Sequence, residues 1–102
     1  MSNYAADEMV RTGEVAKRMG IHRSSVLRKA AEGMLTPPVR LHKRCSVWPS
    51  REVEMIRAAY IAGADKDEIK ELVKRLREAR ARHYEALKRL TKTDEQPEKE
   101  TD

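Results

Sequence analysis

Aromatic side chains are scarce in this chain. It has no Phe, one Trp and three Tyr in 102 residues, which excludes a thick aromatic core and leaves a modest aliphatic one. Cysteine is scarcer still: Cys45 stands alone, so no internal disulfide can form. A structural zinc site takes four ligands at paired spacings, but only His42 lies near Cys45, and His22 and His83 are far off. No metal and no other cofactor are expected, and Cys45 is read as a small apolar strand residue. No apolar run approaches the roughly 18 residues of a membrane span. The opening MSNYAADEMV is acidic and lacks the apolar region of a signal peptide. These absences lead us to expect a cytoplasmic protein with no membrane partner. There is also no phosphate-cradling glycine loop and no nucleophile beside a base, so an enzyme is not expected.

Charge is what the chain has in quantity, and it is distributed unevenly. Between Arg11 and Arg51 ten cations face only Glu14 and Glu32, a surplus of eight. From Thr91 to the end, Lys92 and Lys99 face Asp94, Glu95, Glu98, Glu100 and Asp102, a deficit of three. One part attracts polyanions and the tail repels them. Nucleic acid fits better than an anionic membrane, because no amphipathic stretch joins a basic face to large aromatics.

The pattern of breaks predicts a mainly α chain. Thr12 is placed to cap a helix running to about Met19, with Val15, Ala16 and Met19 facing inward. Gly20 ends it, since glycine takes the left-handed conformation without steric cost, and Ile21 plugs the turn. A second helix follows from about Arg23 to Glu32, with Val26, Ala30 and part of Leu27 inward and Gly33 at its end. Thr36-Pro37-Pro38 cannot be helical. The segments VRL (39–41) and CSVW (45–48) read as a two-stranded hairpin. Ser50 is placed to cap a helix to about Ala62, closed by Gly63. Asp65 with Glu68 forms a capping box that opens the longest helix, to about Leu90. The expected organisation is a lead-in over 1–10, a binding domain over 11–63, a long helix over 64–90 and a disordered acidic tail over 91–102.

Two short helices across a tight turn form a helix-turn-helix pattern. The N-terminal end of the second helix carries the positive end of the helix dipole. It also carries Arg23, Ser24, Ser25, Arg28 and Lys29. Arginine can pair with guanine O6 and N7, and serine suits bases or phosphates. A basic amphipathic helix alone is more often a solvated face. The basic hairpin that follows, with Arg40, His42, Lys43 and Arg44 at or beside its tip, gives the pattern more weight, as does Thr12 at the flank. The expected fold is a winged helix-turn-helix with a small two-stranded β wing and a long C-terminal helix, bound to double-stranded DNA.

The run TGEVAKRMGIHRSSVLRKAAEGMLTPPVRLHKRCSVWPSREVE (12–54) resembles the AlpA-type phage regulators. These are small winged-helix proteins related to excisionases and to the DNA-binding part of the MerR family. The resemblance lies in EVAKRMGI leading into RSSVLR, the glycine, the Pro-Pro step, VRL, an arginine at the wing, and Trp48-Pro49-Ser50 before an acidic helix start. The segment AGADKDEIKELVKRLREAR (62–80) is similar to their C-terminal extension. The resemblance implies a bacterial or phage-encoded, nucleoid-associated regulator of a mobile element, with Arg23, Ser24, Ser25 and Arg28 in the major groove and Arg44 at the wing. Three features depart from the family. His22 stands where Ser or Thr commonly caps, Leu27 where an aromatic is common, and His42-Lys43 replaces a glycine-bearing wing turn.

In the long helix Ile69, Leu72, Leu76, Ala79, His83, Ala86 and Leu90 recur at spacings of 3 and 4. Ile69, Leu72, Val73 and Leu76 are expected to pack on Met55, Ile56 and Ala59. Ala79, His83, Ala86, Leu87 and Leu90 are expected to project and form a homodimer or hold a partner, with the helix cations on solvated faces. Three roles stay open: a transcription regulator that meets RNA polymerase, an excision factor that bends DNA and recruits an integrase, and an assembly adaptor.

Overall fold

A computed structural model of the chain describes the backbone from Asp7 to Thr101 and the side chains from Asp7 to Leu90. Among the described residues the chain is mainly helical, with four helices and a three-stranded antiparallel sheet. Strand β1 (Met9–Arg11) runs directly into α1 (Thr12–Met19), and α2 (Arg23–Ala31) follows one turn later. Strands β2 (Val39–His42) and β3 (Cys45–Pro49) form the hairpin, followed by α3 (Ser50–Ile61) and α4 (Lys66–Thr101). Among the described residues no helix is long and apolar enough to cross a membrane.

Strand β1 corrects the reading of the sheet as two-stranded and draws Met9 and Val10, the end of the expected lead-in, into it. It pairs with β3 in the register Met9↔Pro49, Val10↔Trp48 and Arg11↔Val47, so β3 is the central strand. Three residues are too few to display a period of two. The strand is held by its partners instead: Val10 is buried, Ser50 N–H donates to the Glu8 carbonyl at 2.7 Å, and Arg51 Nη2 meets Asp7 Oδ1 at 3.0 Å. On the other side of β3, Val39 pairs with Val47 and Arg40 with Ser46. The register then shifts, so that His42 faces Cys45. Lys43 and Arg44 make the turn, and Cys45 is buried in the strand as expected.

Left-handed glycines close the helices where the sequence placed them. Gly20 has φ 71° and Gly33 φ 82°. Ile21 N–H bonds back to the Ala16 carbonyl, and Met34 N–H to that of Lys29. The capping box also forms, with Glu68 N–H donating to Asp65 Oδ1 at 2.9 Å and Asp65 N–H to Glu68 Oε1 at 2.8 Å. Two expected caps do not form. Thr12 and Ser50 are the first helical residues rather than caps, and the cap positions, Arg11 and Pro49, make no side-chain cap bond. The Ser50 hydroxyl instead accepts from Arg18 Nη1 at 2.9 Å. In each case the strand runs up to the helix and puts the cap position on Arg11 or Pro49, neither of which has a side-chain acceptor for a first-turn N–H.

The core joins Val10, Val15, Ala16, Val26, Met34, Leu35, Trp48, Val53 and Ile56 to Ile69, Val73 and Leu76 of α4. Met55, expected against α4, is 43% exposed, because Val53 and Ile56 already fill the inner face of α3. A polar contact also fastens α4. Glu52 is fully buried, and its carboxylate takes Arg80 Nε at 2.8 Å and Nη2 at 2.6 Å. Arg80 therefore belongs to the packing and not to a solvated face. A helix of 36 residues is about 54 Å long, which matches the long axis of the molecule, 54 Å. Its backbone stays helical to Thr101, where the sequence reading expected disorder from Thr91. The last turns run through Pro97, which lacks the N–H for one bond of the helical ladder.

Arg80→Ala leaves a buried carboxylate without its bidentate partner and is expected to cost about 3 kcal/mol in urea denaturation, with much of the loss recovered in Glu52→Leu/Arg80→Leu. A single-variant loss under about 0.5 kcal/mol, as for an exposed pair, would remove this role.

Candidate nucleic-acid interface

The turn between α1 and α2 and the hairpin between β2 and β3 lie on one side of the molecule and enclose a cleft of about 510 Å³. Arg11 and Thr12 come to it from the end of β1 and the start of α1. Helix α2 contributes His22, Arg23, Ser24 and Leu27, and the hairpin contributes Arg40, Arg44 and Ser46. Among the described residues no carboxylate lines it. Both α1 and α2 begin at this cleft, so two positive helix ends converge with four guanidinium groups. Arg23 adds to this directly. Its Nη1 lies 3.6 Å from where a Cβ on Gly13 would stand, over the first turn of α1.

The other arginines near the domain are used differently. Arg18 binds Glu14 at 2.9 Å and Glu54 at 3.2 Å, and its backbone carbonyl accepts from Arg57 Nε. Arg18 thus ties α1 to α3, and its hydrogen bond holds the Glu14 carboxyl below its ordinary value. Arg51 pairs with Asp7, Arg57 with Glu54 and Arg80 with Glu52. Among the described residues no carboxylate pairs with Arg11, Arg23, Arg40 or Arg44. The fold therefore neutralises the arginines that join its elements and leaves the cleft cationic.

Compared with known proteins, the chain matches no family model, no curated protein and no solved structure.

Of the residues singled out in the sequence, Thr12, Arg23, Ser24, Arg40 and Arg44 meet in the cleft. Arg28 is exposed beside it. It donates to Ser25 Oγ at 3.2 Å and lies 4.0 Å from Glu32, an exposed pair that a ligand displaces at little cost. His42 and Lys43 are exposed at the far end of the hairpin. Lys29 lies elsewhere: it lines a second, more apolar groove of about 390 Å³ with Arg18, Met19, Ile21, Met34, Leu35, Arg57, Tyr60 and Ile61. On α4, Ala79 and His83 are half-buried, while Ala86, Leu87 and Leu90 are exposed. The sequence reading missed Arg11, His22, Leu27 and Ser46 as cleft residues. Ser46 was reachable from cross-strand pairing with Arg40. Arg11 was hidden because β1 was not foreseen.

His22 is the cap of α2. Its Nδ1 accepts the Ser24 backbone N–H at 3.1 Å and lies 2.8 Å from the Ser24 hydroxyl. The imidazole thus does what a Ser or Thr would do, and the helix starts at Arg23. An accepting Nδ1 places the proton of the neutral ring on Nε2. Replacing His22 by Ala is expected to lower stability by about 1 kcal/mol in thermal denaturation, while Asn restores or exceeds the wild-type value. Equal stability of wild type and His22→Ala would show that the cap contributes nothing.

Proposed function

We propose that this chain is a sequence-specific double-stranded DNA-binding protein of winged helix-turn-helix architecture, acting as a transcription regulator of a phage or mobile element. The observation that carries the reading is the carboxylate-free cleft of four arginines between the first turn of α2 and the hairpin. In this reading α2 is the recognition helix, α1 its support and the hairpin its wing. Helix α2 has nine residues and enters a major groove about 12 Å wide with its N-terminal end leading. Arg23, Ser24 and Arg28 face base edges and the phosphates beside them. Arg40 and Arg44, with His42 and Lys43 at the tip, follow the backbone toward the adjacent minor groove. Arg11 and Thr12 present the start of α1 to a further phosphate.

The regulatory role rests on the resemblance of residues 12–54 to AlpA-type phage regulators, and the geometry is compatible with it. A second copy joins through the exposed end of α4, at Ala86, Leu87 and Leu90, with Ala79 and His83 nearer the globule. A dimer places two recognition helices on two half-sites, where the complex meets or excludes RNA polymerase.

Selection from a random duplex pool, followed by binding of the selected and of unrelated duplexes across a salt series, tests the reading. Affinity is expected to fall linearly with salt on logarithmic axes. Arg44→Ala is expected to weaken both duplexes alike and reduce the slope by about 1. Arg28→Ala is expected to cost about 1–3 kcal/mol on the selected duplex alone. A pool that enriches no sequence, or variants that bind like wild type, would contradict the assignment.

A further inference from the structure

Among the described residues Leu27 is the one large apolar side chain that lines the cleft. It stands four residues after Arg23 on the same face of α2 and lines the cleft together with Arg23, Ser24 and Arg40. It is 45% exposed, whereas its neighbour Val26 is fully buried. Ala30 packs against the core with Val26, so the inward face of α2 is formed without Leu27. A scattered surface leucine is ordinary. A leucine that lines the same cleft as Arg11, Arg23, Arg40 and Arg44 is in a different position, because a ligand that fills the cleft and neutralises those arginines also meets Leu27.

On the major-groove edges of DNA one group is apolar. It is the C5-methyl of thymine, which cytosine carries only when methylated. The phosphates and base acceptors suit the arginines and Ser24, and only the methyl group suits Leu27. We propose that Leu27 reads a pyrimidine C5-methyl group in the DNA bound at this cleft. The inference rests on the DNA-binding reading and deepens it, by assigning one element of sequence choice to one side chain.

The test uses the full chain and the duplex selected from a random pool. Each thymine is replaced in turn by uracil, which removes only the methyl, and each cytosine in turn by 5-methylcytosine, which adds it. Affinity is read by fluorescence anisotropy at fixed salt. One replacement is expected to change wild-type affinity by about 4-fold, the scale of burying a single methyl group. A loss with uracil identifies thymine as the source, and a gain with 5-methylcytosine identifies the methylated base. The response is expected to vanish in Leu27→Ala and in Leu27→Asn, each shown by circular dichroism to be folded, and to persist in Leu27→Met. An enriched site at which neither replacement changes affinity would overturn this inference alone, as would a response of equal size in the Ala and Asn variants. A pool that enriches nothing would overturn the DNA reading and this inference together.

Discussion

Trp48 is the residue on which the geometry of the cleft depends. It lies on the central strand, is fully buried and pairs with Val10 of β1. Its indole N–H donates to the Thr36 carbonyl at 2.8 Å. That bond binds the loop leaving α2 to the strand that carries one side of the hairpin. The spacing between the start of α2 and the hairpin arginines is thereby fixed by a buried hydrogen bond within an apolar core, where such a bond is costly to break. Pro37 and Pro38, which follow the anchored Thr36, extend the chain straight into β2 and limit how far the hairpin can swing.

The second constraint is electrostatic. A small chain with so many arginines must either pair them or hold them apart, and this one does both. Arg18 and Arg80 each bridge two helices through a carboxylate, and Arg51 ties α3 to Asp7 just ahead of β1, so the charge of these arginines goes into packing. In the cleft, Arg11, Arg23, Arg40 and Arg44 stand together with two helix N-termini. Clustered like charge is unfavourable in the free protein, and under the proposed function a bound polyanion would return that energy. The buried Glu52–Arg80 pair serves a different end, fixing where α4 leaves the globule and hence where its exposed end projects.

How much of this was legible in the sequence depended on the range of each interaction. Gly20, Gly33 and the Asp65–Glu68 box are local devices, and each does what its neighbours along the chain imply. The caps at Thr12 and Ser50 failed as readings because a strand enters each helix directly, a condition set by residues far away in the chain. β1 was invisible for the same reason: three residues show no period, and their pairing partner lies across the domain. The Glu52–Arg80 contact was equally out of reach, since either residue alone reads as an ordinary surface charge. In the cleft, the arginines of α2 and the hairpin stood out by composition. Arg11, Leu27 and Ser46 did not, because only the fold brings them beside the others, and Lys29 was carried by helical rotation to the opposite groove.

The central claim is that the cleft between α2 and the hairpin is where DNA binds. Backbone amide shifts followed by NMR while a duplex is titrated onto the protein test it most directly. The account predicts the largest shifts at Arg11, Thr12, His22 through Leu27, and Arg40 through Ser46, with residues of the second groove and the first turns of α4 left near their free positions. Shifts centred on Met34, Tyr60 and Ile61, or along α4, with the cleft residues unmoved, would contradict it.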